Sequence, residues 1–318
     1  MNHEQNSGAA RTLPILMTVL GVVGAVATVA LRAWLIPSQR DIETGLFSTN
    51  FLVMLVMVLI LMLLGGAACL LRGGDRREIA GKPALSLAVV SLGVGVATIL
   101  FGLMELLARL EIVSFFTITN EIIGGEEENL MRIALQWLQP SLCMLSGVAF
   151  LRLGLTLASE GSTRRGMVQW GMLIPVLWQW VVLANYEMSY ASMVRLSDGF
   201  FTLGMYVMEM LFLLFFARYI AGVGKVGYAT MLFFAAGAVL FVLSAPLVRV
   251  VMYLQQDSEA FGASGAAGPL DMVIGLLALT TCVTLCHSLF PSASAADASS
   301  EEEAGIELVT GFDEMDVE

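Results

Sequence analysis

A lone carboxylic acid inside an apolar run is the residue of this chain best placed to do chemistry. In GMYVMEMLFLLFFARY, Gly204 to Tyr219, Glu209 is set in residues otherwise fit for lipid. At a rise of 1.5 Å per residue it lies roughly 13 Å from either interface. A charge at that depth costs about 2.5–3.5 kcal/mol on insertion scales, so the expected state is neutral and hydrogen-bonded. Side chains at comparable depth that could answer it are Gln179, Ser146, Thr280 and Thr281, with Tyr206 one turn away on the same helix. Two roles fit such an acid: a structural bond between helices, or a group that handles a proton or a ligand.

A second set of ionisable groups falls near the outer ends of the apolar runs. It comprises Arg32, Glu105, Arg109, Arg132, Gln136, Gln139, Glu187, Arg249 and Asp271. Arginines on that side oppose the positive-inside bias, so each is expected to snorkel or to pair with an acid at its own level, as Arg132 could with Glu105. Interface anchors and ion pairs between helices account for such a layer. A polar vestibule for an anionic or zwitterionic ligand is the functional alternative, with Glu209, Gln179, Glu105, Arg132, Arg249 and Arg32 as its candidate ligand or proton-handling residues.

Other chemistry is incomplete. Glu127-Glu128-Asn129-Leu130-Met131-Arg132 reads EExxxR, the pattern that supplies the acid in a family of multi-pass membrane proteases. The histidines such a site needs on other helices are missing, because the chain has only His3 and His287. Cys282 and Cys286 share a helix face, but His287 points about 100° away and a zinc site needs three or four ligands. Cys69, Cys143, Cys282 and Cys286 all lie in apolar runs, where thiols act as small apolar groups rather than as a disulfide framework. Lys82 and Lys225 lie in loops, so no lysine is placed for a Schiff base, and no HExxH or phosphate-binding glycine loop occurs. No catalytic, metal or cofactor site is expected, and the chain reads as non-enzymatic.

The elements that position these groups are membrane spans. Hydrophobic residues make up 58% and charged residues 14% of the chain, against about a quarter charged in soluble domains; the mean hydropathy is +0.82. Crossing a hydrocarbon core of about 30 Å takes about 20 residues. Eight runs qualify: Leu13–Ile36, Phe51–Leu71, Ala84–Leu107, Met131–Ala158, Met167–Tyr186, Phe200–Tyr219, Tyr228–Leu254 and Leu270–Phe290. The first exceeds the roughly 7–15 residues of a signal-peptide core and reads as a span. The expected fold is an all-α polytopic transmembrane bundle of about eight helices.

Lysine and arginine in short loops set the orientation. Arg72, Arg76, Arg77, Lys82, Arg164, Arg165, Arg218 and Lys225 fall in alternate loops, while the others hold only Arg40, Arg109 and Arg195. Both termini are therefore expected in the cytoplasm, with residues 1–12 as the amino-terminal segment and 13–290 as the membrane domain. Trp34, Trp137, Trp170 and Tyr253 fall where an aromatic belt would sit. The longest external loop, 108–130, combines EIVSFFTITNEII with Glu126-Glu127-Glu128 and reads as a partly helical segment lying over the outer face.

Net charge is −11. Much of it sits in segment 291–318, where Asp297, Glu301, Glu302, Glu303, Glu307, Asp313, Glu314, Asp316 and Glu318 have no basic partner. Such a segment cannot bury enough surface to fold and is expected to be a disordered acidic tail. It suits a basic cytoplasmic protein and makes nucleic acid an improbable partner. Small residues at helical spacing, Gly21 with Ala25 and Ser91 with Gly95, and the group Ala236-Gly237, mark sites of close helix packing. No internal repeat of the kind found in secondary transporters is legible.

Two stretches, QRDIETGLF (Gln39 to Phe47) and PVLWQWVVLANYE (Pro175 to Glu187), together with the spacing of the eight runs, resemble a group of uncharacterised bacterial multi-pass membrane proteins. The resemblance implies a bacterial inner-membrane location and carries over no functional residue. Two functions are expected to compete: a structural or regulatory membrane component docking through its acidic tail, and a transporter or small-ligand binder built on Glu209 and the outer arginine and acid layer.

Overall fold

The structure is a computed structural model that describes in full residues 12–34, 53–71, 79, 81–110, 133–161, 171–187, 201–222, 227–255 and 268–288, with the backbone alone of a few further helical residues. The described residues form helices and contain no strand. In chain order these are α1 (His3–Ser38), α2 (Asn50–Leu70), α3 (Lys82–Arg109), α4 (Leu130–Glu160), α5 (Leu173–Tyr190), α6 (Leu196–Ala221), α7 (Tyr228–Leu254) and α8 (Pro269–His287). Seven of them, all but α5, are long and apolar enough to cross a membrane. α5 has 18 residues and carries Gln179, Asn185 and Glu187, which lower its hydropathy. It begins at Leu173, so the expected fifth run over Met167–Tyr186 is displaced towards the carboxyl end.

The bundle is apolar on its outside as well as its inside. Leu16, Val19, Val23 and Val26 on α1, and Leu85, Val89, Val96 and Leu100 on α3, are exposed at helical spacing. Such a surface matches hydrocarbon, where each backbone donor and acceptor must be answered within the chain. Trp34, Trp137 and Tyr253 are exposed, in keeping with interfacial rings; Trp170 lies outside the described residues. So do the expected external segment over 111–129, the EExxxR acids Glu127 and Glu128, the amino-terminal side chains and the acidic segment 291–318.

α7 is the axis of the bundle. Of its most apolar window 78% is buried, against 17% for α2, and it packs against α1, α2, α6 and α8. Gly21 of α1 faces the Ala236 backbone, where an added Cβ would stand 3.0 Å from the carbonyl oxygen. Here the expected close packing of small residues is realised.

Midway along, α7 opens into a π-helical turn over Val239–Leu243. Its cause is Pro246, which has no N–H to give and whose ring crowds the carbonyl four residues back. The Ser244 hydroxyl donates to the Phe241 carbonyl at 3.1 Å, beside the Ser244 backbone N–H that donates to the same oxygen. α4 repeats the device around Pro140, where Ser141 donates to the Trp137 carbonyl at 3.0 Å.

α3 and α4 form the most extensive helix pair, in strict antiparallel register. Gly95 faces Gly147, Ala88 faces Gly154 and Gly102 faces Pro140, so that backbones meet every seven residues. A Cβ on Gly95 would lie 2.8 Å from the Gly147 carbonyl oxygen, and one on Gly147 would lie 2.7 Å from that of Gly95. Outside this ladder Gly81, at φ 70°, donates its N–H to the carbonyl of Gly161, at φ 64°, over 2.9 Å. Both glycines occupy left-handed backbone that other residues adopt at a cost.

Candidate functional site

Glu209 stands midway along α6 and is wholly buried. The face that holds it also carries Thr202 and Tyr206, at intervals of four and three residues, so one buried stripe of α6 is polar. α5 answers with Gln179 and Tyr186, seven residues apart and therefore on one face. Gln179 Nε2 donates to Glu209 Oε2 at 2.8 Å. Further out, the Tyr186 and Tyr206 rings meet edge to face with centroids 5.3 Å apart. Two rungs, one amide to carboxyl and one aromatic, thus join α5 to α6.

Of the side chains expected to reach Glu209, only Gln179 bonds to it. Ser146 donates to the Leu142 carbonyl, and Thr281 to that of Leu277. Thr280 is exposed and donates to the Leu276 carbonyl. In each case a hydroxyl within reach of its own helix's carbonyl four residues back has taken that bond instead. Asp271 is an electrostatic neighbour of Glu209, and Glu209, Asp271 and Arg249 are electrostatic neighbours of Tyr206.

The pair is incompletely satisfied. Glu209 Oε1 and Gln179 Oε1 are both buried, and among the described residues neither meets a donor. An amide oxygen and a carboxylate oxygen are acceptors, and leaving either unanswered in a dry site costs about 1–3 kcal/mol. The pair has two complementary forms. An ionised Glu209 receives a bond from the Gln179 amide, while a protonated Glu209 would donate to the same amide turned over, with its oxygen inward.

The outer candidates separate. Asp271 is buried at the first turn of α8, where its Oδ2 accepts the Gly268 N–H at 2.6 Å, the side-chain half of a capping box. Arg249, half-buried on α7, is an electrostatic neighbour of Asp271. Arg32 is not a snorkelling anchor. It is buried on α1 with its guanidinium 4.0 Å above the Phe201 ring, a cation held over an aromatic face. Glu105 pairs with Arg109, one turn along its own helix, at 2.6 Å; the side chain of its expected partner, Arg132, lies outside the described residues. Sequence spacing favoured the local partner, since residues four apart share a helix face. Gln139 accepts from Asn185 Nδ2 at 2.6 Å and so ties α4 to α5.

At the other end of the bundle the cysteines stay apart from His287. Cys286 Sγ lies 3.2 Å from Thr18 Oγ1, Cys282 is buried, and His287 is exposed. Among the described residues no three His, Cys, Asp or Glu side chains gather as metal ligands would.

No protein-family model, curated protein or solved structure matches this chain.

Three features of the site lay beyond sequence reasoning. These are the Tyr186 to Tyr206 rung, the inward approach of Asp271, and the burial of Arg32. The first had a signal, since Gln179 with Tyr186 and Glu209 with Tyr206 each share a helix face.

Proposed function

We propose that this chain is a non-enzymatic membrane protein that crosses the bilayer eight times and binds or carries a small ligand by exchange at Glu209. The observation that supports the reading is the pair of buried oxygens, Glu209 Oε1 and Gln179 Oε1, with no donor to meet them among the described residues. An acid kept only to join two helices would be expected to spend its hydrogen-bonding capacity on protein groups, because unpaired acceptors weaken the joint they serve. Tyr206, Asp271 and Arg249 supply a polar way from the midplane towards one face, and the loop basic residues make that face the outer one. Counting α5 as a crossing gives both ends a cytoplasmic position, and the resemblance carried by Pro175 to Glu187 favours a bacterial inner membrane.

Infrared difference spectra of the full chain in lipid vesicles, recorded between acid and alkaline buffers, test this directly. A protonated-carboxyl band that comes and goes with pH, and is absent from Glu209→Gln, is the expected result. A Glu209 signal identical in both buffers would make the acid a sealed structural joint and end the proposal.

A second reading rests on the acidic segment 291–318, whose charge suits a basic cytoplasmic protein. Crosslinking in native membranes, comparing the full chain with one ending at Pro291, should lose a specific partner on truncation. Retention of every partner would remove that role.

A further inference from the structure

The donor arithmetic at Glu209 narrows the ligand class. Two buried oxygens need N–H or O–H groups, and the carboxylate needs a countercharge in a medium where an unpaired charge is costly. A proton on Glu209 removes the charge and can be donated to Gln179 Oε1 of the turned-over amide, but it leaves the second Glu209 oxygen unanswered and turns the Gln179 NH2 away from its carboxylate partner. A water molecule brings two donors and no charge. An alkali or alkaline-earth ion brings charge but calls for about six oxygen ligands, and the pair offers two oxygens that are not already engaged.

We infer that the Glu209 and Gln179 site takes a small primary ammonium compound, its N–H groups bonded to Glu209 Oε1 and Gln179 Oε1. An R–NH3+ group supplies three donors and one positive charge, so it meets both requirements at once. This rests on the reading of Glu209 as a ligand-handling group. The surroundings suit a cation with an apolar body: Met205 and Tyr206, both buried, share the face of α6 that carries Glu209, and Tyr186 stands edge to face with Tyr206. Asp271 adds a second negative group on α8, with Arg249 of α7 beside it on the outer side. Arg32, the remaining buried cation, is stacked on Phe201, about two turns further out along α6.

Methylammonium is the probe, applied to the full chain in lipid nanodiscs and read by thermal unfolding and by fluorescence of Trp178, the buried residue next to Gln179. It should raise Tm in a saturable way. Tetramethylammonium, of the same charge but without N–H, should not, and sodium should not. Glu209→Gln and Gln179→Met should each weaken methylammonium binding about tenfold or more, the cost of losing a charge-assisted bond. Equal shifts with tetramethylammonium or sodium, affinity unchanged by both substitutions, or no saturable shift in the wild type would each overturn the inference. If the Glu209 carboxyl band still responds to pH while methylammonium leaves the protein unchanged, the ligand class is wrong and the exchange site stands. If both fail, the acid is structural.

Discussion

The α3–α4 seam and the α5–α6 face solve the same problem, two helices meeting in lipid, by opposite means. Between α3 and α4 the side chains withdraw: Gly95 on Gly147 and Ala88 on Gly154 bring backbones together, and the contact repeats every seven residues. Dispersion over a close surface does the binding, and no buried charge enters the ladder. Between α5 and α6 the side chains reach across as amide, carboxyl and phenol, and part of their bonding capacity is left over. A seam closed by backbones has one arrangement. A face held by polar groups with acceptors to spare has at least two, and the proposed exchange rests on that difference.

Substitutions can break the contrast, and the largest effect should come from the seam. Gly147→Leu would drive a Cβ to 2.5 Å from Ile99 Cγ1 and 2.7 Å from the Gly95 carbonyl oxygen. Overpacking against backbone is expected to cost about 3 kcal/mol or more, and folded protein should be largely lost in detergent-resistance and thermal assays. A variant as stable as the wild type would mean that the helices do not touch as described. Next comes Gln179→Leu, which strips Glu209 of its one donor among the described residues. It should destabilise by about 2 kcal/mol, whereas the same change in a Glu209→Gln background should cost less. Equal losses in both backgrounds would remove the pair as an energetic unit.

A smaller loss is expected from Ser244→Ala, which removes the hydroxyl and leaves the Phe241 carbonyl with the backbone N–H of residue 244 beside the π turn. About 1 kcal/mol is the expected cost, and hydrogen exchange should quicken locally around Val239–Leu243. Unchanged exchange would show the hydroxyl to be dispensable. Gly93→Ala sharpens the comparison from the other side, because nothing lies within 4 Å of a Cβ there, on the same helix as Gly95. It should be neutral or stabilise by up to about 1 kcal/mol through helix propensity. A marked loss of Tm would place an undescribed partner against that face.

Much of the bundle was legible because lipid imposes a length and a composition on each span, and the ends of most runs fall within a few residues of the helices found. α5 was misplaced at its start because Met167, Val168, Trp170 and Met172 carry the apolar run past the turn at Gly171 and Met172, where the helix has not yet begun. Glu209 could be singled out as a charge where none is cheap. Gln179 could be proposed as its partner by depth, but so could Ser146, Thr280 and Thr281, and depth does not reveal which way a hydroxyl turns. The glycine ladder was half visible. Gly95 and Ser91 drew notice at a spacing of four, while the operative spacing is seven and its other half, Gly147 and Gly154, lies on the next helix. A register between two helices is a property of the pair, and neither sequence alone contains it. The seat of Arg32 over Phe201 was not legible, because nothing in its neighbours along the chain announces a ring that comes from α6.

The π turn in α7 has a consequence for phase. Such a turn is one residue inserted into an α-helix, and one residue is about 100° of rotation. The first half of α7, set against α2 and α6, and the second half, which carries Arg249 towards Asp271, are therefore two pieces clocked independently on a common axis, with α1 packed along both. Deleting a single residue between Val239 and Leu243 would leave nearly every atom type in place. It would swing the guanidinium of Arg249 about a quarter turn away from its acid, as a watch keeps all its parts when one tooth is filed from a gear.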